Sequence, residues 1–302
     1  MEKSSLPILD GLGRALLDRT SLAALPETVW KRASALNTWG TNAIEGNTLD
    51  RGDVERLLLE EQVVRGAPVR DVLETVQHDK AFRGLVGRLE EPLTAALARD
   101  LHGEVFRNVK PHAGTWRLVR VGILGTTYVP PRPEEVPFLM QGWEQEYHQR
   151  DLRGADPLDL AAWMHARFEA IHPFQDGNGR AGRLLLNHHF LKKSWPPVHI
   201  VPADREPYLA GLEAFHTDDL APLRSFLAEA LGRSLLDLLD QVGTREDELA
   251  LLAELARDGP YDAKYLALRA SQGALPALKD GRAWRSSRRA LALYVEHAGR
   301  KP

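Results

Sequence analysis

Apolar residues recur at three- and four-residue spacing through most of the chain and strict alternation is scarce, so the sequence predicts a mainly α protein. Leu160, Met164, Phe168 and Ile171 form one such stripe. Leu235, Leu236, Leu238 and Leu239 lie in another that runs to Gly243, where we place a domain boundary. Strand-forming residues concentrate between Leu118 and Val129, broken by Gly122 and Gly125 and followed by Pro130, Pro131 and Pro133. That pattern predicts one short β-hairpin with a stiffened exit. Beyond Gly243, the stretch from Tyr265 to Arg285 predicts a helix, a stop at Gly273, a short apolar strand, a turn and a second strand. A last helix is expected over Arg288 to Glu296. No solenoid-period repeat and no low-complexity segment is present.

Composition narrows the classes. Of 302 residues, 43% are hydrophobic and 27% charged, which excludes a disordered or fibrous chain. With 39 basic and 42 acidic residues the net charge is -3, so no whole-molecule field draws it to nucleic acid or membrane. The charge is local instead. Residues 257–302 hold ten basic side chains (Arg257, Lys264, Arg269, Lys279, Arg282, Arg285, Arg288, Arg289, Arg300, Lys301) against four acidic ones (Asp258, Asp262, Asp280, Glu296). The absence of cysteine excludes a disulfide framework, thiolate metal sites and thiol nucleophiles. No apolar run approaches the roughly 18 residues of a spanning helix. Met1 to Pro7 lacks the basic and apolar blocks of an export signal, so no membrane partner and a cytoplasmic location are expected.

The chemistry concentrates in Ile171-His172-Pro173-Phe174-Gln175-Asp176-Gly177-Asn178-Gly179-Arg180-Ala181-Gly182-Arg183. It predicts an apolar helix stopped at His172-Pro173, a glycine-rich turn, and a new helix starting near Asn178 or Gly179. Free N–H groups at a helix start, glycines that admit a ligand and two arginines three residues apart suit a polyphosphate. Asp176 adds a hard oxygen for magnesium. His172 is the one group there that accepts a proton near neutral pH. Each part alone has a plain structural explanation; their coincidence in one short span points to a nucleotidyl- or phosphoryl-transfer site.

The string matches every fixed position of the Fic signature, His-x-Phe-x-Asp/Glu-Gly-Asn-Gly-Arg-x-x-Arg, and the chain resembles that family over roughly residues 41–230. The resemblance implies a helical Fic fold with a hairpin flap, and a protein adenylyltransferase that uses ATP with Mg2+. It implies His172 as general base and Asp176 as metal ligand. Gly177, Asn178 and Gly179 would cradle the α- and β-phosphates, Arg180 would neutralise them and Arg183 would hold the γ-phosphate. Tyr208 matches a position that often contacts the nucleotide, and as a core tyrosine it has an equal structural reading. The segment around Thr127–Val129 is similar to the flap that aligns a target protein as an added strand.

Upstream, Thr41-Asn42-Ala43-Ile44-Glu45-Gly46 closes a helical pattern. Thr41 and Glu45 share a face, and Gly46 reads as the stop. The string resembles the family's inhibitory motif, in which Glu45 would pair with Arg183 and deny it to the γ-phosphate. The expected parts are therefore residues 1–96 carrying that motif, a catalytic core over 97–240 and a winged-helix-like α+β domain over 241–302. AMP removal, another phosphate-group transfer, and a DNA-binding regulator with a nucleotide-sensing core stay open as alternatives. So do DNA or protein binding by residues 244–302 and a homodimer.

Overall fold

The computed structural model describes residues 6–123, 125–257 and 259–298. Leu124 of the expected hairpin, Met1 to Ser5 of the leader reading, and Asp258, Arg300 and Lys301 of the charge tally lie outside them. The helices are α1 Leu6–Leu17, α2 Glu27–Ile44, α3 Arg51–Leu58, α4 Val69–Gly84, α5 Ala95–Phe106, α6 Val136–Leu152 and α7 Pro157–Ile171. They continue with α8 Asn178–Lys192, α9 Arg205–Ala214, α10 Ala221–Val242, α11 Leu252–Leu255, α12 Ala263–Ser271 and α13 Arg288–Ala298. Three short strands, β1 Ala250–Leu251, β2 Leu278–Asp280 and β3 Ala283–Ser286, complete the described elements. The expected mainly helical class holds, and no described helix is long and apolar enough to cross a membrane.

Contacts divide the chain into a unit of residues 30–226 and a second unit that joins residues 1–29 to 227–302. These limits fall inside α2 and α10, not at the 96/97 and 240/241 boundaries expected from sequence, because no loop signal marks a division within a helix.

In the larger unit α7 is the central element, buried on nearly every side and packed against α6 and α8, with α8 also against α5. Leu160, Met164, Phe168 and Ile171 all lie in this core, as their spacing required. Asp156 caps the start of α7, accepting from the N–H groups of Leu158 and Asp159, and Pro157 fits the first turn, where no N–H is needed. The indole N–H of Trp143 donates to the Met164 carbonyl at 2.9 Å, so even the large aromatics of α6 leave no polar atom unpaired there.

The smaller unit contains a winged helix. β1 and β2 both pair antiparallel with β3 in the order β1-β3-β2, with Ala250 opposite Ser286 and Leu278 opposite Arg285. Asp262 caps α12 through the Tyr265 N–H, and Gly273, at φ 68°, ends it as the sequence indicated. α13 packs on α1, and the side chain of Arg289 reaches the buried carboxylate of Asp247. β1 has no strand signal of its own, being two residues long.

Among the described residues of the hairpin expected over Leu118 to Val129, no strand pairing is present. The described part of 117–132 carries no ladder, with a bend at Leu118 and Val119 and a turn at Gly125, and Leu118 and Val129 are exposed. Pro130, Pro131 and Pro133 lack donors, and the carbonyls of Val119 and Pro131 both accept from the guanidinium of Arg117, at 3.1 and 2.6 Å. The two legs of the flap therefore meet on one side chain and not on each other.

Candidate active site

His172 closes α7 in the left-handed conformation, φ 51° and ψ 59°, while its N–H still bonds the Phe168 carbonyl. Its ring Nδ1 lies 3.2 Å from the Glu169 carbonyl. A carbonyl only accepts, so Nδ1 carries the proton and Nε2 keeps its lone pair. Burial, helped by the nearby charge of Arg117, pushes the His172 pKa down to about 4. Burial pushes that of Glu169 up to about 8, so the pair, 4.0 Å apart, is uncharged at pH 7 and is no ion pair. A neutral imidazole with a free Nε2 is the form a general base requires.

The loop that follows is built from below. The Phe174 ring is wholly buried and stacks on His102 with centroids 3.7 Å apart. The Asn178 side chain accepts from the Phe174 N–H at 2.8 Å and donates to its carbonyl at 2.9 Å, closing the turn. The Asn178 amide thus shapes the cradle, and any phosphate contact from this residue would come from its backbone. His102 accepts from the Gly114 N–H at 2.9 Å through Nδ1, so its Nε2 donates to the Asp176 carbonyl at 2.9 Å. Burial holds the His102 pKa near 4, which keeps that tautomer in place.

Gly177 stands at φ 82° before the first turn of α8, and a Cβ there would collide with the Phe106 ring. Gly179 has no such backbone demand, but a Cβ there would press on the ends of the Glu45 and Arg183 side chains where they pair. The first N–H groups of α8 have no partner within the helix and carry its positive pole, the anion-binding arrangement read from the sequence.

Both arginines of the loop are engaged by carboxylates from elsewhere in the chain, Glu45 just beyond α2 and Glu74 within α4. Arg183 donates through Nη2 to Glu45 Oε1 at 2.7 Å and through Nε to the Thr41 hydroxyl at 2.6 Å. Glu45 follows the last residue of α2, and Gly46, at φ 86°, turns the chain away. Burial raises the Glu45 pKa, but the charge and hydrogen bond of Arg183 outweigh it and leave the carboxylate below its ordinary value. Arg180 pairs with Glu74 of α4, both almost fully buried, and lies 4.5 Å over the Phe106 ring. Asp176 is half exposed and bonded by the ammonium of Lys110. Burial raises its pKa, and Lys110 brings it below the ordinary range. Tyr208 is buried, its hydroxyl 2.7 Å from His165 Nε2 and 3.5 Å from Arg183 Nη1, so it backs the arginine instead of facing outward.

The structure thus brings His172, Asp176, Gly177, Asn178, Gly179, Arg180, Arg183 and Glu45 to one place, with Tyr208 behind them. Sequence reading missed His102, Lys110, Glu74, Arg117 and Glu169. Their partners lie far along the chain, apart from Glu169, which sits one turn before His172 and was legible from that spacing. Among the described residues no three metal-binding side chains converge; the loop offers a divalent ion Asp176 alone.

A left-handed histidine thus stands a few residues before the N-terminus of a buried helix within a helical bundle. Residues 92–190 match the Fic/DOC family, so the chain carries a Fic domain over that segment. It is 29% identical over 234 residues to a protein adenylyltransferase Fic of Drosophila grimshawi, covering 76% of this chain and 48% of that one. The chain spans about half the length of the curated relatives it matches. A Fic-domain-containing signalling protein of Bacteroides thetaiotaomicron superposes with a TM-score of 0.71 at 25% identity, covering 78% of this chain and 97% of the other. A Fic family protein of Desulfovibrio desulfuricans shares the fold, with a TM-score of 0.67 at 20% identity over 95% of this chain and 96% of the other.

Proposed function

We propose that this protein is an adenylyltransferase that moves AMP from ATP to a Ser, Thr or Tyr hydroxyl of a protein, itself included, and that Glu45 restrains it. The observation that carries this reading is the 2.7 Å contact of Glu45 with Arg183, set beside a neutral His172 and the helix-start cradle. The name of the Drosophila grimshawi relative supports the same activity. In the proposed step the target hydroxyl oxygen attacks the α-phosphorus while His172 Nε2 takes its proton. The bond to the β-phosphate breaks, pyrophosphate leaves, and AMP remains as a phosphodiester on the target. The first N–H groups of α8 hold the phosphates, and Arg183, once freed from Glu45, holds the γ-phosphate.

Magnesium fits the residues present, because a phosphate-bridging ion draws one or two carboxylates from the protein and the rest from substrate and water. Asp176 would hold it, in competition with Lys110. When bound it supplies charge neutralisation on the departing pyrophosphate.

Incubation with α-labelled ATP and magnesium tests the reading. Glu45→Gly is expected to label itself or an added lysate strongly, wild type weakly, and Glu45→Gly with His172→Ala not at all. Three folded proteins without label would overturn it, and loss of label from a pre-modified target on adding wild type would favour AMP removal instead.

A second reading concerns the smaller unit. Its winged-helix topology, with Lys279 and Arg282 exposed on the β2-β3 wing, supports binding of duplex DNA. Affinity for arbitrary duplex that falls steeply between 50 and 200 mM salt is the expected result on the full chain, on the order of tenfold per few phosphate contacts. Salt-independent or absent binding would leave a protein partner or a packing role.

A further inference from the structure

Arg117 is a side chain that the catalytic scheme does not use, and its environment is unusual. It is 2% exposed, yet it joins no ion pair among the described residues. Its guanidinium instead donates to four backbone carbonyls from three segments: Nε to His172 at 2.8 Å, Nη1 to Val119 at 3.1 Å, and Nη2 to Pro131 at 2.6 Å and Ile171 at 3.4 Å. Its own N–H bonds the Pro173 carbonyl at 2.9 Å. A buried cation held only for stability is ordinarily matched by a carboxylate. This one is matched by the negative pole of α7, whose last carbonyls belong to Ile171 and His172, and by the two legs of the flap.

We propose that Arg117 is a positioning residue that ties the flap to the general base, setting with one guanidinium both the left-handed turn at His172 and the spacing of the flap legs. A left-handed histidine is strained and persists only where its surroundings hold it. The Nε bond to its carbonyl and the main-chain bond to Pro173 bracket that turn from both sides. Val119 and Pro131 have no ladder between them, so the fork of Arg117 takes the place of the strand pairing that the flap lacks. A target strand laid along the flap would then be placed relative to His172 by a rigid planar group. Lysine carries the charge but is a point donor that cannot span carbonyls from three segments.

The inference rests on the transferase reading for its consequence, but its main test does not need activity. Hydrogen exchange of residues 117–132 and the NMR titration of His172 are compared in wild type, Arg117→Lys and Arg117→Met, with circular dichroism and thermal melting to establish that each variant is folded. The wild-type amide of residue 117, bonded to the Pro173 carbonyl, is expected to exchange at least tenfold more slowly than the same amide of Arg117→Lys. The His172 pKa is expected to rise in Arg117→Met, where the cation is removed but Glu169, Glu45 and Asp176, the other charged or titratable groups acting on His172, remain. In the Glu45→Gly background, Arg117→Lys is expected to lower kcat for self-labelling at least tenfold while affinity for a fluorescent ATP derivative changes less than twofold. Unchanged flap exchange and an unchanged His172 titration in a folded Arg117→Lys would overturn the inference. So would a folded Arg117→Lys with full kcat. A Glu45→Gly protein with Arg117 intact that does not label itself or a lysate would instead overturn the transferase reading, and the exchange and titration results would still decide the role of Arg117. Should both substitutions unfold the protein, a wild-type residue 117 amide exchanging at the rate of free chain would overturn it.

Discussion

The signature loop, residues 172–183, and the flap, residues 117–132, meet at one arginine but are built in opposite ways. In the loop nearly every polar group is spoken for: Asn178 closes on Phe174, His102 holds Asp176, Glu74 holds Arg180 and Glu45 holds Arg183. In the flap the main chain has no strand partner among the described residues, its carbonyls at Val119 and Pro131 are held by one side chain, and Val129 is exposed. The difference teaches where rigidity is needed. On the proposed transfer, phosphate chemistry would depend on donors fixed before the substrate arrives, and recognition of a polypeptide by strand addition on an edge with no strand partner of its own.

Mutations that act on chemistry, packing and surface should separate the two regions. The largest effect is expected from His172→Ala, a loss of about 10²–10⁴ in transfer rate with the melting temperature nearly unchanged, read by labelling in the Glu45→Gly background. Phe174→Ala comes next. Its wholly buried ring anchors the loop, so denaturant titration should show a loss of about 3–5 kcal/mol, and a smaller loss would mean that the loop is held by its hydrogen bonds alone.

A third effect is on pH. Burial holds His78 and His165 near pKa 3 in the fold, well below the ordinary 6.5, so the unfolded chain binds more protons at acid pH. Their contribution is complete above about pH 6.5 and is lost as pH falls toward 3, at about 2 kcal/mol each by pH 5. Glu169, with its pKa raised to about 8, works the other way: the folded form keeps a proton that the unfolded form sheds, so stability falls as pH rises from 4.5 to 8. Melting curves at pH 7 and pH 5 should therefore show acid destabilisation in wild type and a steeper one in Glu169→Gln, which lacks the opposing group. An equal slope in both would mean that Glu169 is ionised in the fold. The smallest effect belongs to the flap, where Val129→Ala should change stability by less than about 0.5 kcal/mol because the side chain is exposed. A larger loss would show that the flap packs more firmly than its open backbone suggests.

Much of the site could be read from the chain because its logic is local. The stop at His172-Pro173, the glycine turn and the start of α8 lie within a few residues of one another, and Thr41 and Glu45 share a helix face by spacing alone. The flap was misread for an instructive reason. Alternating strand formers and turn glycines specify a hairpin only if the two legs can bond each other, and here prolines remove donors and Arg117 takes the carbonyls. Lys110 on Asp176, Glu74 on Arg180 and His102 beneath the loop join residues 66, 106 and 74 positions apart, and no periodicity reports such pairs.

The sequence by itself determined the helical class, the glycine turn between α7 and α8, the histidine that opens it and the presence of a glutamate on the face of Thr41, because each depends on φ/ψ preference, helix period or side-chain chemistry within one segment. Only the tertiary structure decided that both signature arginines are paired, that Tyr208 faces inward, that the unit limits fall inside α2 and α10, and that one buried guanidinium binds the carbonyls of His172, Val119 and Pro131. Those outcomes depend on which desolvated charges come within hydrogen-bond reach when distant helices pack, and burial makes each such pairing obligatory without leaving a local trace.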